Sequence, residues 1–227
     1  MAESPSETSD PVIERYRAFR VRLRALNAAI FRSVDPMTLD QAASLLGLRR
    51  RGEIVARTEG ARLALCECCL FDVYHAGKNV AQRFLTRHPP PTPEDAAVAE
   101  SVRAARFRIL DVRPRDGGGR IDATDLLCGE RLCLIDLGLG ASLRAGDVVT
   151  VRTQPFEDAW ISNGSAFNFP PQARDEAFNR LRRHGILARY ENRARLHSPE
   201  SEVDVATTML RAAFDFGLDA QLVQRSA

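Results

Sequence analysis

RFRILDVRPRDGGGRIDATDLLCGERLCLIDLG, residues 106–138, is where the chain changes its period. Upstream, apolar residues recur every three or four positions. Here RFRILDVRP and RLCLIDLG alternate, and RDGGGR and CGE read as turns. Alternation places successive side chains on opposite faces of a strand, so the stretch predicts antiparallel strands with short connections. LRAGD then leads into VVTVRTQPF, and AWISNGSAFNF contains Asn163-Gly164, the strongest short hairpin signal. About five to seven short strands over 106–170 predict a small, strongly curved antiparallel sheet or half-barrel, closed by Pro170-Pro171.

Helical patterns flank this module. Ile13, Tyr16, Phe19, Leu23, Leu26 and Ile30 form one apolar stripe, predicting a helix over 12–33 that Asp35-Pro36 breaks. Thr38 with Gln41 reads as a capping box opening a short helix that stops at Gly47. Residues 53–56 read as extended. A long helix is expected over 59–87, ended by the prolines of HPPPTP. Thr92-Pro93-Glu94 opens a helix to Ala105. Further helices are expected over 172–184, ending at Gly185, and after the Ser198-Pro199-Glu200 cap, burying Val205, Met209, Leu210 and Phe214. The fold class is α+β: a disordered tail over 1–11, a helical region over 12–105, the β module over 106–170, and C-terminal helices over 171–227.

The composition, 44% hydrophobic and 27% charged over 227 residues, is that of a soluble globular protein. No apolar run approaches the ~20 residues that span a bilayer. MAESPSETSDP at the N-terminus lacks the basic-then-apolar order of a secretion signal, so a cytoplasmic protein with no membrane partner is expected. Lys78 is the only lysine among 32 basic residues. Arginine's planar fork suits phosphate, but codon usage of a GC-rich genome explains the bias more simply. A net charge of +2 gives little general pull on nucleic acid.

LALCECCLF, residues 63–71, raises the question of a metal or redox centre. At about 100° per residue, Cys66, Cys68 and Cys69 point in three directions, and only Cys66 and Cys69 share a face. His75 lies away from that face, and no second CxxC or HxxxH supplies further ligands. The cysteines therefore read as small core residues, with Leu63, Cys66, Leu70 and Val73 on one stripe. Only convergence of Cys128 and Cys133 with Cys66 and Cys69 would reverse this. No cofactor or metal ligand is assigned, and no catalytic residue.

TLDQAASLLGLRRRGEIV, residues 38–55, has the outline of a helix-turn-helix, with Arg49, Arg50 and Arg51 at the start of the second helix as nucleic-acid contacts. Gly52 weakens such a helix, and a short helix hairpin with arginines solvated on its outer side is the simpler reading. RDGGGR, 115–120, lacks the GK[ST] ending of a phosphate loop. Asp111, Asp122, Asp125, Asp136 and Asp147 recur through the β region and offer carboxylates, although aspartate is also a turn residue. Trp160, with Phe167 and Phe169, offers an aromatic platform or a core face. Asp125, Asp147 and Trp160 are the candidate ligand or partner surface. His184 reads as a cation at a helix end.

The order AASLLGL, CLFDVYHAGKNVAQRFL, FRILDV, DLLCGERLCLIDLGLGASLRAGDVVTVR and ISNGSAF resembles an uncharacterised bacterial cytosolic family related to SEC-C motif proteins. The likeness spans residues 12–170. It implies a domain layout and no reaction, and the cysteine-rich metal motif of those relatives is absent, since residues 171–227 hold no cysteine. The first functional expectation is a non-enzymatic interaction or regulatory protein with an unidentified protein partner, or a homodimer. The second is a DNA-binding regulator using 38–55. The third is an enzyme built on the β-region aspartates.

Overall fold

The structure is a computed structural model that describes residues 10–114, 119–191 and 198–220. Helix α1 (Pro11–Arg32) is capped by Asp10, whose side chain accepts from the Val12 N–H, and it buries Ile13, Tyr16, Leu23 and Ile30 along the expected stripe. The tail expected before it lies outside the described residues, apart from Asp10. Asp35-Pro36 breaks α1 and also starts α2 (Pro36–Leu45). Asp35, not Thr38, is the cap: its carboxylate accepts from the Thr38 N–H and hydroxyl.

Next comes a two-stranded ribbon, β1 (Arg49–Arg50) with β2 (Glu53–Ile54). Helix α3 (Glu59–Phe71) follows, with Thr58 as its N-cap. The long helix expected to Arg87 ends here. A second ribbon, β3 (Tyr74–His75) with β4 (Lys78–Asn79), interrupts it before α4 (Val80–Arg87). Both ribbons turn through two left-handed residues, Arg51-Gly52 (φ 50° and 87°) and Ala76-Gly77 (φ 50° and 75°), the mirror-image turn that suits strand twist. The interruption was encoded: Asn79 and Gln82 form a reciprocal capping box inside the stretch read as continuous helix. Helix α5 (Pro93–Arg103) completes the N-terminal part.

The β module is β5 (Arg106–Pro114), β6 (Arg120–Asp125), β7 (Arg131–Ile135), β8 (Val148–Phe156) and β9 (Ala159–Phe169), with α6 (Leu137–Ser142) between β7 and β8. The barrel is closed, not half-open, in the order β5-β6-β7-β9-β8 and back to β5. The β7–β9 pair is parallel, so the sheet is not purely antiparallel. Five strands in this order, with a helix between the third and fourth, have the topology of an OB-type barrel. Leu139 and Leu143, in and just after α6, join Leu110, Val112, Ile121, Leu134, Val149 and Val151 in the barrel interior. Asn163-Gly164 is not a turn but lies within β9; the β8–β9 turn is Glu157-Asp158, with Glu157 at φ 52°. A Cβ on Gly164 would stand 3.1 Å from a Glu67 carboxylate oxygen, so the glycine serves close packing. Of RDGGGR, residues 115–118 lie outside the described residues.

Helices α7 (Pro171–Arg183), α8 (Ile186–Glu191) and α9 (Pro199–Asp215) follow, and a 3-10 turn at Leu218–Ala220 comes last. One buried cluster runs from Ile13 of α1 through α3 and the outer barrel residues Ile109 and Phe167 to Met209 and Leu218, so the helical regions and the barrel share a core. Helix α3 is central to it. A Cβ on Gly60 would meet the Asp219 carbonyl oxygen at 2.4 Å, a backbone contact that only glycine allows. Gly60→Ala is expected to cost about 1–3 kcal/mol in urea unfolding by forcing the 3-10 turn off α3. An unchanged midpoint would show that the turn does not seat there.

Candidate functional site

The C-terminal end of α2, the first ribbon, the start of α3, α7 and α9 enclose a cleft of about 810 Å³. Its walls carry Arg49, Arg50, Arg57, Arg180 and Arg211 together with Asp215 and Asp219. Arg211 donates to the carbonyls of Leu45 (2.7 Å) and Ser44 (3.0 Å), closing the end of α2, where carbonyls lack helical partners. Arg180 pairs with Asp215 at 2.6 Å and Glu176 at 3.0 Å; hydrogen bonds to both carboxylates raise its pKa. Arg49 pairs with Asp40. Asp219 accepts from the Thr58 hydroxyl, tying the last turn to the α3 cap. Arg50 and Arg57 have no side-chain hydrogen bond or ion pair among the described residues. Exposed guanidiniums without carboxylate partners keep their planar fork of donors free, the geometry that pairs bidentately with carboxylate or phosphate.

Of the sequence-predicted residues, Arg49 and Arg50 line this cleft and Arg51 sits at the ribbon tip. They do so on a β-ribbon. No recognition helix starts at Arg49, and the next helix, α3, is the most enclosed and cannot enter a groove. The structure brings Asp125 and Trp160 together, but not as a surface. Arg108 reaches Asp125 at 3.0 Å and Glu130 at 2.7 Å, donates to Thr153 Oγ1 at 3.1 Å, and stacks 4.4 Å from the Trp160 ring centroid. Asp125 is buried and fully used. Asp147 stands apart from them, at the start of β8, and closes its own turn by accepting from the Arg144 N–H at 2.8 Å. The five aspartates do not converge: Asp136 caps α6 and accepts from the Ser162 hydroxyl.

The cysteines are all free thiols. Cys68 and Cys69 are fully buried, while Cys66 and Leu63 are only partly so, which rotates the core face of α3 one position from the expected stripe. Burial pushes the Cys68 thiol far up and Cys69 to about 12, helped by neighbouring negative charge. Protonated, enclosed thiols are poor nucleophiles. Among the described residues no group of three His, Cys, Asp or Glu could hold a metal ion.

Sequence reading missed Arg57, Arg180 and Arg211 because elements far apart in the chain carry them. It also missed a buried charge cluster, where Arg152 of β8 meets Glu67 at 3.1 Å and both oxygens of Asp72 at 2.7 and 2.9 Å. One signal was present: Glu67 is a lone acid inside LALCECCLF, and an acid on a buried helix demands a partner.

Fold and cleft together define an α+β protein in which helices cover an OB-type barrel and frame an arginine-lined cleft; among the described residues no helix is long and apolar enough to cross a membrane. The chain belongs to a family of unknown function, DUF7986, whose model matches residues 10–193. Arg211, Phe214, Asp215 and Asp219 of the cleft lie beyond the matched residues. No curated protein and no solved structure matches the chain.

Proposed function

We propose that this is a non-enzymatic interaction protein of the bacterial cytosol that recognises an anionic partner or ligand through the arginine cleft. The observation that supports it is the pair Arg50 and Arg57, which among the described residues have no side-chain partner, whereas Arg49 and Arg180 beside them are paired with carboxylates. Five free cysteines suit a reducing compartment. Asp125, the residue an enzyme reading leaned on, is held by Arg108 and the Leu127 N–H, so the geometry gives that reading no support.

The test is a calorimetric titration with tripolyphosphate at two salt concentrations. Wild type is expected to bind, more weakly at high salt, and Arg50→Ala/Arg57→Ala to bind roughly 10–100-fold more weakly with an unchanged unfolding midpoint. Unaltered affinity in the double variant would sink the cleft as the site. Duplex DNA that binds as a function of Arg51 alone would instead restore the DNA-regulator reading on a ribbon tip.

A further inference from the structure

The cleft is more than a patch of charge. Its floor is apolar: Leu46, Leu48 and Ala61 are buried there, and Val55 and Phe214 complete the lining. Phe214 is fixed edge-to-face on the buried Phe167, with ring centroids 6.4 Å apart and planes at 85°. A bare phosphate has no use for this floor. A volume of about 810 Å³ falls in the range of ~300–1,000 Å³ that takes a whole small molecule. At the rim, Asp215 and Asp219 each engage one oxygen, Asp215 with Arg180 and Asp219 with Thr58. Their remaining oxygens accept nothing else among the described residues, and they line the same cleft as the five arginines.

We infer that the cleft takes a nucleoside polyphosphate, its phosphates on Arg50, Arg57 and the neighbouring guanidiniums, its base on Phe214 and the apolar floor, and its hydroxyl or amino donors on Asp215 and Asp219. This rests on the anion reading and adds the ligand class. Guanidiniums fit phosphate oxygens in pairs, an immobilised aromatic ring stacks any base, and carboxylates take up sugar hydroxyls or exocyclic amines. The site is a concave cleft between five elements, which favours a single nucleotide over a strand running across a surface.

The experiment compares a purine nucleoside triphosphate, tripolyphosphate and a single-stranded oligothymidine on the full chain by calorimetry, in wild type and Phe214→Leu. The nucleotide is expected to bind at least ~10-fold tighter than tripolyphosphate, and Phe214→Leu to remove that advantage while leaving tripolyphosphate binding unchanged. Equal affinity for the two in wild type would overturn the nucleotide assignment and leave the anion reading standing. Binding of neither would overturn both. Oligonucleotide binding that the triphosphate cannot displace would also overturn it, in favour of a strand-binding surface.

Discussion

Arg152→Met is expected to destabilise the protein by about 3–5 kcal/mol, because it strands two buried carboxylates. Arg152, Glu67 and Asp72 are each nearly inaccessible, with side-chain exposures of 2%, 5% and 2%. The guanidinium bridges α3 to the barrel, doubly bonded to Asp72 at the end of the helix and singly to Glu67 one turn earlier, with Phe71 and Phe107 against its face. Among the described residues Glu67 keeps only the Ser165 hydroxyl when the arginine is gone. In a domain of this size the loss corresponds to a fall of roughly 10 °C in Tm. Adding Asp72→Asn to Arg152→Met is expected to recover part of it, since one uncompensated charge is removed; strict additivity of the two changes would contradict a shared cluster.

The same cluster sets a pH dependence. Two acids share one guanidinium, and burial pushes Asp72 up to about 6 against the pull of Arg152, with Glu67 pushing the same way as burial. Arg152 is itself buried, which lowers its pKa, but the charges of Asp72 and Glu67 outweigh this and hold it above the ordinary arginine value. A carboxyl whose pKa is raised on folding binds its proton more tightly in the native state. Its stabilising contribution is complete below the unfolded value near 4 and is lost as pH rises through about 6. Wild type is therefore expected to gain on the order of 1 kcal/mol between pH 7.5 and pH 5 relative to Asp72→Asn. The acids whose pKa is lowered by hydrogen bonding, Asp35, Asp95, Glu157 and Glu176, lose their contribution only as pH falls further, outside this window. Parallel pH profiles for wild type and Asp72→Asn would mean that Asp72 is ionised throughout.

What could be read from the sequence divides along a physical line. Elements declared by local chemistry were legible: the stripe of α1, the Thr92-Pro93 and Ser198-Pro199 caps, and the change of period at Phe107 all lie within a few neighbouring residues. The turns were less so. Arg51-Gly52, Ala76-Gly77 and Glu157-Asp158 adopt left-handed first residues with no asparagine, whereas Asn163-Gly164 stays extended because Glu67, 97 positions away, packs over it. VVTVRTQPF alternates apolar and polar residues, which locally means one wet face. Helices bury Thr150, Arg152 and Gln154 instead, and only partner acids on α3 make that tolerable for Arg152. The cleft was half legible: Arg49 and Arg50 stood out as a run, while Arg57, Arg180 and Arg211 became neighbours only through the packing of α3, α7 and α9.

Arg108→Met is the second large effect, expected at about 3–5 kcal/mol, and it carries its own internal control. One guanidinium holds two carboxylates of opposite character: Asp125 at 5% side-chain exposure and Glu130 at 42%. Solvent supports Glu130 without the arginine, so Glu130→Gln should cost less than about 1 kcal/mol. Among the described residues Asp125 then keeps only the Leu127 N–H, and it cannot be rehydrated without opening the β6–β7 end of the barrel. Trp160, the sole tryptophan, lies under Arg108 and reports that opening directly. Arg108→Met should therefore shift its emission to the red and raise its accessibility to quencher, while Glu130→Gln leaves both unchanged. Equal costs for the two variants, or an unmoved emission in Arg108→Met, would mean that the barrel end is closed by its apolar residues alone and that the ion pair merely decorates it.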